Sequence, residues 1–265
     1  MGADVKQLRA RIKSVDSTMH LTSAMGLVAS SKIRKATLAM ESARKYRCAV
    51  EEVISSLTNC PECQRSPYMS ANEGCDRLIV IAGDRGLAGG YNANMWRLTK
   101  SQEQAETIAI GKRAVDRYRN GYSSAERFSS ADAYELAKML CEDFKKKKYA
   151  RLGIASTKYH SMLSQEPIIE WILPLKKHSE KKGCPIFEPD EETVLNGVVT
   201  TYVAGCIVSA VRESFASEIA ARKVAMDSAG KNAKKMIEEL NLKYNRARQG
   251  AITQEITEIV AGIGS

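Results

Sequence analysis

Three groups of residues in this chain have types and spacings that could do chemistry. The first is the loop Gly83-Asp-Arg-Gly-Leu-Ala-Gly-Gly-Tyr-Asn92, which follows the apolar run Arg77-Leu-Ile-Val-Ile-Ala82. A glycine-rich turn after a strand can bring backbone N–H groups up to a phosphate. Here Gly83, Gly86, Gly89 and Gly90 match neither G-x-G-x-x-G nor the P-loop, and no Lys-Ser/Thr pair follows. The loop therefore reads as a tight turn with close helix–sheet packing. The second group is Cys60-Pro-Glu-Cys63, with Cys75 twelve residues on. Zinc takes four ligands, and only three thiols lie close, with no histidine beside them. A fourth ligand from elsewhere in the fold keeps a metal or redox pair open, against the reading as loop thiols. Cys141 and Cys206 read as small core residues. The third group, His20, His160 and His178, is scattered, and no Ser or Cys nucleophile motif accompanies it. No catalytic residue, bound cofactor or metal is expected.

The elements that must carry these residues are dominated by the two ends of the chain. All six prolines fall between Pro61 and Pro189, which leaves both ends free to be helical. From Val5 the heptad positions are Val5, Leu8, Ile12, Val15, Met19, Thr22, Gly26, Ala29, Ile33, Ala36, Met40, Ala43, Arg47, Val50, Ile54 and Leu57. Thirteen of these sixteen are apolar, and a sustained 3.5-residue repeat predicts a supercoil with a partner helix. From Asp190 a second helical pattern carries Met226, Ala229, Ala233, Met236, Leu240, Tyr244, Ala247 and Ala251, then Ile252, Ile256, Ile259 and Ile263. A helix of that span is roughly 105 Å long at 1.5 Å per residue, too long for a compact domain of this size to bury. The two ends are each other's obvious partners.

Between them, strands are expected at 77–82, 107–110, 151–156 and 168–173, and helices from the glycine loop to about Gln104, at 112–119 and at 132–146. That β-α alternation predicts a small doubly wound, Rossmann-like α/β domain. The division expected is a coiled-coil helix over 1–58, a linker over 59–76, the α/β domain over 77–175, a second linker over 176–189 and the other coiled-coil helix over 190–265. No apolar run reaches the length of a membrane span, and no signal peptide is seen. Seven cysteines without such a signal fit a reducing compartment, so a soluble cytoplasmic protein is expected. The net charge of +9 predicts acidic partners. Ten basic residues against Asp16 and Glu41 alone, between Lys6 and Arg47, make either a solvated face or a surface that slides past acidic loops.

The run Ala221-Arg-Lys-Val-Ala-Met-Asp-Ser-Ala-Gly-Lys-Asn-Ala233, followed by Tyr244-Asn-Arg-Ala-Arg-Gln-Gly-Ala-Ile-Thr-Gln-Glu-Ile-Thr-Glu-Ile-Val260, closely resembles the γ subunit family of F-type ATP synthases. Arg11-Ile-Lys-Ser-Val15, Thr22-Ser-Ala-Met-Gly-Leu-Val-Ala-Ser-Ser-Lys-Ile-Arg-Lys35 and the glycine loop extend the likeness over the whole chain. The resemblance implies a rotor. Its terminal helices would form an antiparallel coiled coil inside a hexamer of α and β subunits, with the α/β domain outside beside the ε subunit and the c-ring. Such a shaft holds no active site and acts as one ligand of alternative states of its surroundings. Met25 resembles the position facing an acidic loop of β, with Arg222 near the same contact. Arg248 and Gln249 resemble a pair engaging a β-subunit catch loop, and Thr253 and Glu255 a second polar set. Ile256, Ile259, Val260 and Ile263 would turn in an apolar sleeve. The family implies a hetero-oligomer reaching the membrane only through the Fo sector, on the cytoplasmic face of a bacterial-type membrane, with no nucleic-acid partner. Lys223 stands where the family commonly has methionine and Ala88 where cysteine is frequent. The regulatory cysteine insertion of chloroplast members has no counterpart.

Two other functions compete. A nucleotide-using α/β enzyme with helical arms would need a ligand at Gly83–Gly90. A basic helical-hairpin adaptor would need nucleic-acid affinity that falls steeply with salt, and the sequence lacks the interleaved aromatics that would support it.

Overall fold

The computed structural model describes residues 2–176 and 187–263. In chain order it contains α1 (Gly2–Thr58), β1 (Arg77–Ile81), α2 (Tyr91–Thr99), β2 (Glu106–Ile110), α3 (Lys112–Tyr118), α4 (Ser130–Lys145), β3 (Leu152–Tyr159), β4 (Gln165–Leu173) and α5 (Glu191–Ile263). Residues 177–186, most of the expected second linker and with them His178, lie outside the described residues, as does the side chain of Ile263. The chain divides into two compact units. One is Ser31–Ala221, and the other joins Met1–Ser30 with Arg222–Ser265.

The Ser31–Ala221 unit is built on a four-stranded sheet of order β2-β1-β3-β4. β1 pairs in parallel with both β2 and β3. The central strand reads as a continuous apolar run because both its faces are covered. Ile79 and Ile81 face the larger core, with Leu57, Leu140, Phe144, Val203 and Ile207, while Leu78 and Val80 pack with Met95 of α2. The sheet is mixed, because β4 runs antiparallel to β3. Only residues 160–164 join those strands, and a parallel crossover needs a dozen or more.

Residues 59–76 have the composition of a linker and most are exposed or half-buried, but four side chains, Cys60, Cys63, Ser66 and Tyr68, enter the core. Cys60 and Cys63 are fully buried and Tyr68 is 1% exposed. The Tyr68 ring stacks on Phe144, its centroid 6.0 Å away, and its carbonyl accepts the N–H of Leu175 at 2.8 Å. α5 also departs from the apolar-run reading, since one 18-residue window of it reaches a mean hydropathy of 1.8. With 61% of that window buried within the protein, it is a core helix.

Ion pairs fasten the edges of this unit. Arg77 reaches Asp143 at 2.7 Å and Glu106 at 2.7 Å, and lies over the Tyr149 ring. Burial disfavours the Arg47 cation, yet the Glu170 carboxylate that takes two of its N–H groups more than offsets this and raises its pKa. Hydrogen bonds from Lys148 and Arg77 hold the Asp143 carboxyl below its ordinary range. Asp132 is lowered by Ser129, its capping-box partner at the start of α4, and Asp190 by the backbone N–H and hydroxyl of Thr193. A carboxylate whose folded-state pKa is depressed stabilises the fold above its unfolded pKa, and loses that contribution as pH falls through the folded value. Urea midpoints should therefore be flat from about pH 7 to 5 and fall below about pH 4, where unfolded carboxyls begin to bind protons. A midpoint that held constant from pH 5 to pH 3 would refute this.

In the unit that joins the chain ends, the two helices are antiparallel. A Cβ on Gly26 would lie 3.7 Å from the Cβ of Met226, and one on Gly230 would lie 3.6 Å from the Thr22 hydroxyl. Small residues at these points let the backbones approach closely. All eight heptad positions from Val5 to Ala29 are buried or half-buried, and Thr22, Gly26 and Ala29 are fully so. On α5 the matching seam is Met226, Ala233, Ile237, Leu240, Tyr244, Ala247 and Ala251. Met236, expected on that seam, is 44% exposed, and its neighbour Ile237 takes the place.

Candidate functional site

The glycine loop is occupied by the protein itself. The N–H groups of Asp84 and Arg85 both donate to the Glu218 carboxylate of α5 at 3.3 Å, and Glu218 is only 2% exposed. A Cβ on Gly83 would fall 2.9 Å from Cδ of that glutamate, so residue 83 must be glycine for the carboxylate to seat. The Gly83 N–H donates to the Asn92 side chain at 3.0 Å. Asp84 in turn accepts the N–H groups of Lys112, Ala125 and Glu126 and the hydroxyl of Ser124. Two of the loop's backbone donors are thus met by one internal carboxylate, that of Glu218, and a third by the Asn92 amide. The loop is a joint between β1 and α5.

Sequence reasoning overlooked the residues on the α5 side of this joint. Ser214 and Ser217 are buried like Glu218, at positions that continue the apolar stripe of Val203, Ile207 and Ala210. Polar residues at core positions were the available signal, and each needs a partner that only the fold supplies.

Among the described residues Cys60, Cys63 and Cys75 form no three-thiol group. Cys60 is disulfide-bonded, Cys63 Sγ lies 3.5 Å from the Glu191 carbonyl, and Cys75 is exposed. Cys63 is a free thiol, so it is not bonded to Cys60, and burial raises its pKa, which disfavours the reactive thiolate. Burial likewise pushes the Cys141 thiol up to about 11 and Cys206 to about 12, as befits core residues. Among the described residues no group of three His, Cys, Asp or Glu side chains could hold a metal.

The residues singled out at the chain ends occupy the helix pair. Continuing the register set at Gly26 and Met226, Met25 comes level with Asp227 and Arg222 with Ser30, about 7 Å apart along the axis. Both are half-buried. Met25 also lies in a second stripe on α1 that was not read from the sequence, with Leu21 and Val28 at helical spacing, 60% and 54% exposed. Arg248, Gln249, Thr253 and Glu255 are all exposed, and the Thr253 hydroxyl donates back to the Gln249 carbonyl at 3.0 Å. The same register brings α5 level with Gly2 at about Gly250. From Ile252 to Gly262 every side chain is exposed, Ile256, Ile259 and Val260 by 56%, 62% and 65%.

One unit is a helix pair whose α5 end is apolar and exposed, the other an α/β unit whose glycine loop seats Glu218, and among the described residues no catalytic constellation is assembled. Residues 4–265 match the family described as ATP synthase. The ATP synthase gamma chain of Ruminococcus albus is 40% identical, covering 97% of this chain and 96% of its own length. That of Moorella thermoacetica is 37% identical, covering 98% of each. A chain of the Euglena gracilis mitochondrial ATP synthase OSCP/F1/c-ring assembly shares the fold, with a TM-score of 0.72 at 19% identity, covering 99% of this chain and 94% of that one. The chain belongs to the ATP synthase γ-chain family. It is accordingly a non-catalytic central-stalk rotor subunit of a membrane-associated complex.

Proposed function

We propose that this chain turns as the axle of a proton-driven ATP synthase, with its helix pair inside a ring of three α and three β subunits. The α/β unit stands outside the ring, beside the ε subunit and the c-ring. The complex sits on the cytoplasmic face of a bacterial-type membrane. An asymmetric shaft touches each β subunit with a different face, so one ligand selects three conformations at once. Rotation by the c-ring advances those conformations toward ATP release, and hydrolysis reverses the turn.

The observation that carries this reading is the bare apolar end of α5 in a chain of this family. Exposed apolar clusters on a soluble surface mark partner contacts. Ile256, Ile259 and Val260, with Ile263 beyond the described side chains, form the bearing, where non-directional contact resists sliding little. Arg248, Gln249, Thr253 and Glu255 supply polar contacts one to three turns back, and Met25 and Arg222 meet an acidic loop of β further along.

Co-expression with α and β subunits, with and without the residues after Ala251, tests the proposal. Each apolar side chain buried in a sleeve contributes on the order of 1.5–3 kcal/mol. Truncation should therefore weaken assembly at least roughly tenfold by native mass spectrometry. Equal assembly of the shortened chain would remove the tip from the interface. Full-length chain that never joined α and β would refute the rotor role for this protein.

A further inference from the structure

We propose that the last turns of α5 before Ala221 form a torsional lock, with Glu218 as its central positioning residue, through which the α/β unit grips the helix. This rests on the rotor reading above and adds to it where twist is delivered. Along α5 from Leu195 to Val211 the buried side chains are almost all apolar. Apolar contact is non-directional, so it opposes separation far more than rotation of a helix about its own axis.

Between Glu213 and Glu218 the character of the buried contacts changes. Tyr159 N–H donates to Glu213 at 2.9 Å, and Thr157 N–H donates to Ser214 Oγ at 3.0 Å. The Ser217 hydroxyl donates to the Thr157 carbonyl at 3.2 Å, so one β3 residue is held through both backbone groups. The Tyr91 hydroxyl, at the start of α2, donates to the Ser214 carbonyl at 3.0 Å. Glu218 completes the set through the loop after β1. The contacts thus reach α5 from β3, α2 and the β1 loop. Hydrogen bonds weaken steeply as their angles bend, so twisting α5 here strains all of them together. The lock also falls at the last turns before the boundary at Ala221, where α5 passes from one compact unit into the other. That is the position at which a grip on the helix transmits the most twist and wastes the least in compliance.

The test uses the assembled complex, with the α and β ring fixed and a gold nanorod attached to the α/β unit. Its angular variance is recorded during pauses in ATP-driven rotation. Glu218→Gln leaves one backbone N–H facing an amide NH2, and the pair Ser214→Ala with Ser217→Ala removes two bonds to Thr157. Each should raise the variance about twofold, since several directional bonds share the load, while the ATP hydrolysis rate of the complex stays within about twofold. Ser217→Thr, which keeps the hydroxyl, should restore wild-type stiffness. Unchanged variance alongside a lower melting temperature would make these residues merely structural and overturn the lock. Should those variants fail to fold, Tyr91→Phe removes one bond at almost constant volume, and unchanged variance there is equally fatal. A wild-type chain that assembles but does not turn would refute the rotor reading itself, and the lock with it.

Discussion

Replacing Ala233 with proline should abolish coupled ATP synthesis while leaving the α/β unit folded. Ala233 is 8% exposed, on the seam of the helix pair, within a single helix of 73 residues. Proline there removes the hydrogen bond to the carbonyl four residues back and drives its ring into that carbonyl, at a cost of about 3 kcal/mol or more. The larger effect is geometric, because a kink there moves everything beyond it, including the bare tip. On a helix of roughly 110 Å, a bend of about 25° at Ala233 would displace a tip about 45 Å further on by nearly 20 Å. No coaxial bearing survives that. Membrane vesicles carrying the variant should lose synthesis by more than about a hundredfold while ring subunits retain some uncoupled hydrolysis. The Ser31–Ala221 core contains none of the altered contacts, so its thermal transition should persist by circular dichroism. Met236→Ala is the control, since that side chain is largely exposed, and its cost should stay within about 0.5 kcal/mol. Normal synthesis with Ala233→Pro would mean that a stiff, straight α5 is not what the protein works with.

That contrast between Ala233 and Met236 shows how far the sequence could be read. The α1 repeat was legible to the residue, because none of its sixteen heptad positions is exposed, even Thr22, Gly26 and Arg47. On α5 the buried seam through Ala233, Ile237, Leu240, Tyr244, Ala247 and Ala251 keeps the same 3-4 alternation. Choosing Met236 over Ile237 was a slip of one residue within it, since both are apolar. The direction of β4 and the burial of Cys60, Cys63, Ser66 and Tyr68 within 59–76 were not legible for another reason. Strand direction depends on connection length once strand ends are known, and those ends were placed short, at Ser156 and Ile168 instead of Tyr159 and Gln165. Cys63 and Tyr68 were hidden among Pro, Glu, Gln and Ser, a composition that describes turns but says nothing of what lies beneath them. The spacing of the glycine loop sets it apart from the phosphate-binding loop patterns. Its carboxylate partner Glu218, 134 positions away, has no local signature at all.

Gly111→Ala should be among the most damaging single-methyl changes in the α/β unit. Gly111 joins β2 to α3 with φ at +100°, a region that side chains rarely adopt. Its two neighbours in space leave it no freedom to move. Its N–H donates to the Tyr122 carbonyl at 2.8 Å, and a Cβ would lie 2.1 Å from the Ala82 carbonyl oxygen and 3.4 Å from Asp84. Ala82 is itself fixed, since its N–H donates to Ile110 at 3.0 Å. Relieving the clash therefore means parting β1 from β2 at the point where the glycine loop begins, and Asp84 would be drawn away from the N–H groups it holds. Positive-φ strain alone costs about 1–2 kcal/mol, and lost strand and loop contacts should bring the total above about 4 kcal/mol, in the range reserved for disrupted cores. Gly74→Ala separates the two contributions, because Gly74 has φ at +125° with nothing within 4 Å of a Cβ. It should show only the strain. Urea unfolding of both variants decides the matter. If Gly111→Ala proves no worse than Gly74→Ala, β1 and β2 are not clamped at this joint, and the loop that seats Glu218 is softer than its hydrogen bonds require.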